Sequence, residues 1–318
     1  MNSLLSKYVY QLTHVRRDSK KGGAPHKPIL LLSIIHLFEI KKITNKEIYI
    51  TPEIIATFKK FWSQLVTTDH DPIFALPFYH MKSEPFWQLI PNPGCEQWIE
   101  AKGSMRSITN LTTAVNVALI HEDLENLLLV PESRDILKLA LLEKFFKQSL
   151  KNYKPEKDWL EASLLYEDSE VYQKNIAELK HKIKKESFQE EIYLRSSLFK
   201  REIPKIYYNT CAISGLRIDA LAKISMVDAC HIIPFAKAYD DTITNGIALC
   251  PNLHRAFDRG LITIDDNYRV LITRNLHEAS SEYTISQFEN KQINLPDNQK
   301  HYPSLQALAW HRKEIFLN

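Results

Sequence analysis

The apolar positions of this chain change their spacing several times, and each change predicts an element. Leu4 to His14 has helical spacing and reads as a first amphipathic helix. Ile29 to Ile40 is strongly apolar and predicts a second helix, with the Pro28 ring in the first turn, where a missing N–H is tolerated. From Lys46 to Val66 a short extended entry, Ile48 to Thr51, leads into a helix capped by Thr51 with Pro52 behind it. Phe58, Phe61, Trp62 and Leu65 recur there at helical spacing and read as core rather than as a base-stacking surface. Pro72 to Ile90 is dense in aromatics and prolines and has no regular period; Pro77 should push Leu76 out of helical angles. Such a rigid stretch can form a small dry pocket edged by polar groups, or a packed strand followed by a turn. Leu111 to Lys147 reads as mostly helical, most clearly from Ser133 to Phe146, and closes a first domain.

The pattern then turns polar. Lys151 to about Arg201 carries charges of alternating sign, which suits an exposed helix bridging two domains or a dimer seam; its apolar spacing is too irregular for a coiled coil. Val227 to Ile233 predicts a strand that stops at Pro234. Ala236 to Thr244, rich in Asp and Thr, reads as a loop, Asn245-Gly246 as a turn, and Ile247 to Leu249 as a short buried strand. Asn252 would cap a helix that Gly260 closes. A hairpin across Asp265 to Asn267 and a closing helix from Ser304 to Phe316 complete the chain. The resulting fold class is α+β, with a mostly helical domain over 1–150, a charged helical linker over 151–200 and a second domain over 201–318.

Composition narrows the class without naming an activity. A chain of 318 residues favours two domains, and 44% apolar with 25% charged residues is the balance of a water-soluble globular protein. The longest apolar run stops at His36, too short for a membrane span, and the first residues lack the pattern of a secretory signal. Four cysteines with no CxxC pair argue for a reducing, cytoplasmic setting and against a disulfide frame or a structural zinc. A net charge of +3 neither requires nor excludes nucleic acid, because clustering matters more than the sum.

Two clusters carry chemistry. Arg16, Arg17, Lys20, Lys21 and Lys27 surround Gly22-Gly23 and run into the helix that starts at Pro28. A basic loop at a helix N-terminus suits an anion such as a DNA phosphate, and a solvated surface loop is the alternative. Lys102 and Arg106 offer a further surface of the same ambiguity. In the second domain His254 and Asp258 stand four apart and share a helix face, offering a nitrogen and an oxygen to a divalent cation.

The stretch from Val227 to Gly260 resembles the HNH, or ββα-metal, nucleases. Its three characteristic places fall on His231, Asn245 and His254, spaced 14 and 9. The resemblance implies that His231 is the general base, that Asn245 fixes the loop and orients that base, and that His254 holds Mg²⁺ or Mn²⁺ with Asp258. Many members have an Asp or His directly before the first His; here that place is Cys230, so Asp228 or a phosphate oxygen would complete the metal shell.

A second resemblance covers roughly Tyr8 to Ile90. Ala24-Pro-His-Lys-Pro28 and Leu76-Pro-Phe-Tyr-His80 are similar to the sulfur-binding domain of McrA-like restriction endonucleases, which read phosphorothioated DNA and cut with an HNH domain. It implies a pocket built by Pro77, Phe78, Tyr79 and His80 with His26, Lys27 and Pro28, flanked by the basic loop. Leu76 stands where that family commonly has tyrosine. The implied partner is double-stranded, phosphorothioated DNA, cut by a homodimer with no membrane involved. The alternatives are an HNH restriction enzyme reading unmodified or base-modified DNA, and a DNA-binding module with an inactive nuclease fold.

Overall fold

The computed structural model describes residues 3–19, 22–100, 105–152, 165–218 and 225–317. Two compact units divide the chain, Met1–Glu161 with Lys182–Leu194, and Ala162–His181 with Arg195–Asn318.

In the first unit the His26–Glu39 helix is apolar on every side and accordingly runs through the core, with Lys27 to Phe38 all buried. It starts before Pro28, which takes a first-turn position, so His26 and Lys27 belong to the helix rather than to the loop. The Pro52–Leu65 helix begins as its sequence suggests, with the Thr51 side chain accepting from the Ile54 amide. Phe58, Phe61, Trp62 and Leu65 are buried there as core.

Two segments depart from the sequence reading. Ala75–His80 is a short helix that includes Leu76. Pro77 stands in its first turn, where the absent amide has no intrahelical acceptor to lose. The buried Glu190 accepts from the amides of Phe74 (2.9 Å) and Ala75 (3.0 Å), so a tertiary contact anchors the turn against the local bias of the pre-proline residue. Val115–Ile120, expected to be helical, is instead the middle strand of an antiparallel sheet. This strand, β3, lies between β1 (Glu47–Ile48) and β2 (Trp87–Pro91). Buried Val115, Val117 and Ile120 with exposed Asn116 give the half-buried pattern of a strand, and neighbours on both sides satisfy its amides. The Lys185–Ile206 helix buries Ser187, Glu190 and Leu194 in the first unit, and Leu198, Phe199 and Ile203 in the second.

The second unit pairs β4 (Asp228–His231) antiparallel to β5 (Gly246–Leu249), with His231 opposite Gly246. The Pro251–Asp258 helix follows, then the expected hairpin of β6 (Ile262–Ile264) and β7 (Val270–Ile272), and the Leu305–Glu314 helix. Cys250, not Asn252, is the N-cap, because Pro251 takes the first helical position and leaves Asn252 inside the turn. Gly260 ends the helix at φ +68°, with the Leu261 amide donating back to the Ala256 carbonyl. A Cβ there would meet the Ile315 carbonyl oxygen at 2.0 Å, so both angle and space require glycine. The described residues are thus a mixture of helices and three small sheets, and no helix among them is long and apolar enough to cross a membrane.

Candidate active site

His231 ends β4, and its ring is held from two sides. Phe199 stacks flat on it, centroids 3.9 Å apart and planes within 9°. Gly246 across the strand pair makes that stack possible: a Cβ there would lie 2.3 Å from Ile203 Cδ1 and 2.8 Å from the Phe199 ring. The Nε2–H of His231 donates to Asp241 Oδ1 at 2.8 Å. Asp241 is fully buried, and its Oδ2 accepts from the Ser196 hydroxyl at 2.9 Å. A carboxylate withdrawn from water this completely requires such partners. The stretch read as a polar loop therefore contains a short helix, Phe235–Ala238, and a buried turn, with Asp240, Asp241 and Thr242 all inside.

Asn245 serves the same turn. Its Oδ1 accepts from the Ile233 amide at 2.9 Å, and its Nδ2 donates to the carbonyls of Ile233 and Asp240 at 3.0 Å each. These bonds tie Ile233 to Asp240 across the turn, and the group that bonds to the His231 ring is Asp241. Neither spacing nor residue type marks Asp241, Ser196 and Phe199 in the sequence as neighbours of His231. The signal available was the Asp240-Asp241 pair inside a loop only ten residues beyond His231.

The second imidazole sits among three donors. The Nδ1–H of His254 donates to Asp228 Oδ2 at 3.2 Å. That leaves the Nε2 lone pair facing Asp258 Oδ2 at 3.4 Å. Cys230 Sγ lies 3.8 Å from the other Asp258 oxygen, and one donor atom each from Cys230, His254 and Asp258 lies within 4.8 Å of the others. Burial, then the negative charge of Asp258, raises the Cys230 thiol well above its usual range, so the metal-free group is a protonated thiol. A lone pair opposite a carboxylate repels unless a proton or a cation lies between them, and these donors fit a divalent ion. Asp228, expected among the ligands, instead bonds the opposite nitrogen of His254. That is the usual place of a carboxylate behind a metal-binding histidine.

The HNH endonuclease family model matches residues 211–265, the span that contains both imidazoles and both strands. The chain carries an HNH endonuclease domain. HNH nucleases use a divalent metal, in keeping with the donor group around His254. A solved structure described as a modification-dependent TagI restriction endonuclease is similar at 21% identity, over 39% of this chain and 39% of that one, with a TM-score of 0.32. The chain thus spans less than half of that structure's length. No curated protein matches the sequence.

Outside the HNH domain, the first unit holds a cavity of about 720 Å³. Arg16, Arg17, His26, Lys27, Pro77 and His80 line it, together with Leu76, Lys82 and Arg106. Pro28, Phe78 and Tyr79 do not line it. Pro28 and Phe78 are core, and the Tyr79 hydroxyl donates to the Trp98 carbonyl at 3.0 Å. Lys20, Lys21 and Lys102 lie outside the described residues. The Lys27 ammonium is buried between Ser83 and Glu84, so its charge is compensated within the wall. His26 Nε2–H donates to the Asp71 carbonyl at 2.9 Å, and burial pulls its pKa down to about 4. Burial also lowers His80, helped by the positive charges of Lys27 and Lys82. Arg16, Arg17, Lys82 and Arg106 bring positive charge to the wall, beside the carboxylates of Asp18, Asp69 and Asp71.

Proposed function

We propose that this chain is a modification-dependent restriction endonuclease that reads a phosphorothioate in double-stranded DNA and hydrolyses a phosphodiester nearby. The observation that carries the hydrolytic half is the pair of imidazoles on one ββα unit, each with a carboxylate on one nitrogen: His231 with Asp241, and His254 with Asp228.

In this reading His231 takes a proton from the attacking water at Nδ1. Its Nε2–H keeps hold of Asp241, whose charge balances the imidazolium that forms. Phe199 and Asn245 keep the ring and its loop from moving, so that no reorganisation accompanies proton transfer. His254 and Asp258 would hold the divalent cation, with Asp228 orienting His254. When bound, that ion supplies positive charge where the phosphoryl and leaving oxygens become negative. One such site per chain and two strands to cut make a homodimer the acting species.

The recognition half rests on the first unit's cavity. Sulfur is larger, softer and less hydrated than oxygen, so a wall of Leu76 and Pro77 favours it while Arg16, Arg17 and Arg106 attract the charged backbone. A second reading follows from the volume. About 720 Å³ is also room for an unstacked nucleotide, which would make the mark a modified base.

A gel-shift comparison at one fixed salt concentration separates these readings, using thioated, base-methylated and ordinary duplexes of identical sequence. The thioated duplex is expected to bind most tightly. Pro77→Gly and His80→Ala should weaken that complex about tenfold and leave ordinary DNA within about twofold. Equal losses on both would reduce the cavity to a phosphate contact, and preference for the methylated duplex would favour the base mark.

A further inference from the structure

We infer that Cys230 is itself a metal ligand, and that the HNH site is built for a thiophilic divalent ion of the zinc and cobalt class rather than for Mg²⁺. The inference rests on the nuclease reading only in taking the His254 cluster as the metal site.

Three observations point the same way. Cys230 is the last residue of β4 before His231, and Ile247 is its partner across the strand pair. Its side chain is fully buried yet lies 3.8 Å from Asp258 Oδ1, on the exposed end of the neighbouring helix. A buried cysteine packed only as a small apolar group would be surrounded by carbon, not held against a carboxylate. Next, His254 is committed to Asp228 through Nδ1–H, so the nitrogen turned to Asp258 and Cys230 is the one able to bind a cation. Finally, the spacing suits an ion. Ligands at zinc-like bond lengths in a tetrahedral arrangement stand about 3.3 to 3.7 Å apart. His254 Nε2 stands 3.4 Å from one Asp258 oxygen and Cys230 Sγ 3.8 Å from the other, and one donor atom from each of the three residues lies within 4.8 Å of the rest, so a side-chain shift of about 1 Å closes the group on an ion.

A sulfur, a nitrogen and an oxygen form a borderline-soft set. Mg²⁺ prefers an all-oxygen octahedron and keeps several of its waters, whereas zinc and cobalt accept thiolate and imidazole readily. Coordination would release the thiol proton to solvent, and no oxidant or reductant is involved. Three protein ligands leave a position for a non-protein oxygen, the arrangement of a working rather than a structural zinc site.

The test is cobalt(II) titration of the full chain without DNA. The expected result is a thiolate-to-cobalt charge-transfer band that saturates at one ion per chain. Cys230→Ser should abolish the band, Cys250→Ala should retain it, and His254→Ala should weaken cobalt binding about 100-fold. Cobalt binding with no such band, or a band that survives in Cys230→Ser, overturns the assignment. X-ray absorption on the zinc-loaded wild-type chain needs no variant. One sulfur at about 2.3 Å supports the inference, and none, or two, contradicts it. Because no DNA is present, the outcomes separate cleanly. DNA cleavage with Mg²⁺ but no thiolate band removes the Cys230 assignment and leaves the nuclease, and a thiolate band without cleavage of any DNA does the reverse.

Discussion

Asp241→Asn is the perturbation that bears most directly on how the proposed base is held. The substitution keeps the shape of the side chain, so the fully buried turn should still close, with the single amide oxygen accepting from His231 and the amide N–H donating to a Ser196 hydroxyl turned to accept it. What disappears is a negative charge 2.8 Å from His231 Nε2. In the ground state that contact is an ordinary hydrogen bond. Once His231 has taken a proton it becomes a bond between an imidazolium and a carboxylate, shielded from water. The differential is about 2 to 4 kcal/mol, the range for losing a charge-assisted bond at a preorganised site. At about 1.4 kcal/mol per tenfold, the chemical step should slow by about 30- to 1,000-fold. The assay is single-turnover nicking of plasmid at saturating enzyme, beside DNA binding by anisotropy and the melting temperature of the variant. The rate should fall with binding within about twofold of wild type, since an interaction made only in the transition state has been removed. A variant that melts like wild type and nicks within about threefold of its rate would refute the claim that Asp241 supports proton transfer.

Two further predictions concern the frame around the sites. Gly246→Ala should push Phe199 and Ile203 off β5, costing about 1 to 3 kcal/mol by overpacking and loosening the stack on His231. A melting temperature and nicking rate both equal to wild type would show that the close approach is immaterial. Glu190 is raised from 4.5 to about 7 by burial, against the pull of Lys59 and of the Phe74 and Ala75 amides. The folded chain therefore holds this proton to higher pH than the unfolded chain does. Stability should fall as pH rises from about 4.5 to about 7, by at most about 3 kcal/mol from this group. Urea melts across that window should show the slope flattened in Glu190→Gln, and an unchanged slope would assign it to other residues.

The readable part of the nuclease domain was the part written in local backbone chemistry. Pro234 ends β4, Gly260 takes a positive φ, and His254 and Asp258 share a helix face; each constraint lies within a few residues of its cause. What could not be read was set by residues far away in sequence. Phe199 and Ser196 reach His231 and Asp241 from the Lys185–Ile206 helix, whose charge pattern read as solvated. Asp241 itself carries the residue type of an exposed turn and is buried only because its partners close over it. The same cause explains the misread elements of the first unit. Val115–Ile120 follows a helix and precedes another, and only pairing with β1 and β2 makes it a strand. Ala75–His80 is helical with a proline inside because Glu190 holds its first amides. In the first unit, His26, Lys27, Pro77 and His80 line one cavity, while Phe78 and Tyr79 turn inward, because successive side chains on a helix point in different directions.

The most direct measurement is cleavage of plasmid DNA, thioated and ordinary, by the wild-type chain and by His231→Ala, with Mg²⁺, Mn²⁺ or Zn²⁺ supplied in turn. Scission by the wild type with at least one of these ions is expected, and its loss in His231→Ala with DNA binding intact. Undiminished cutting by His231→Ala, or no cutting of either DNA by the wild type with any of the three ions, would contradict a nuclease built on this imidazole.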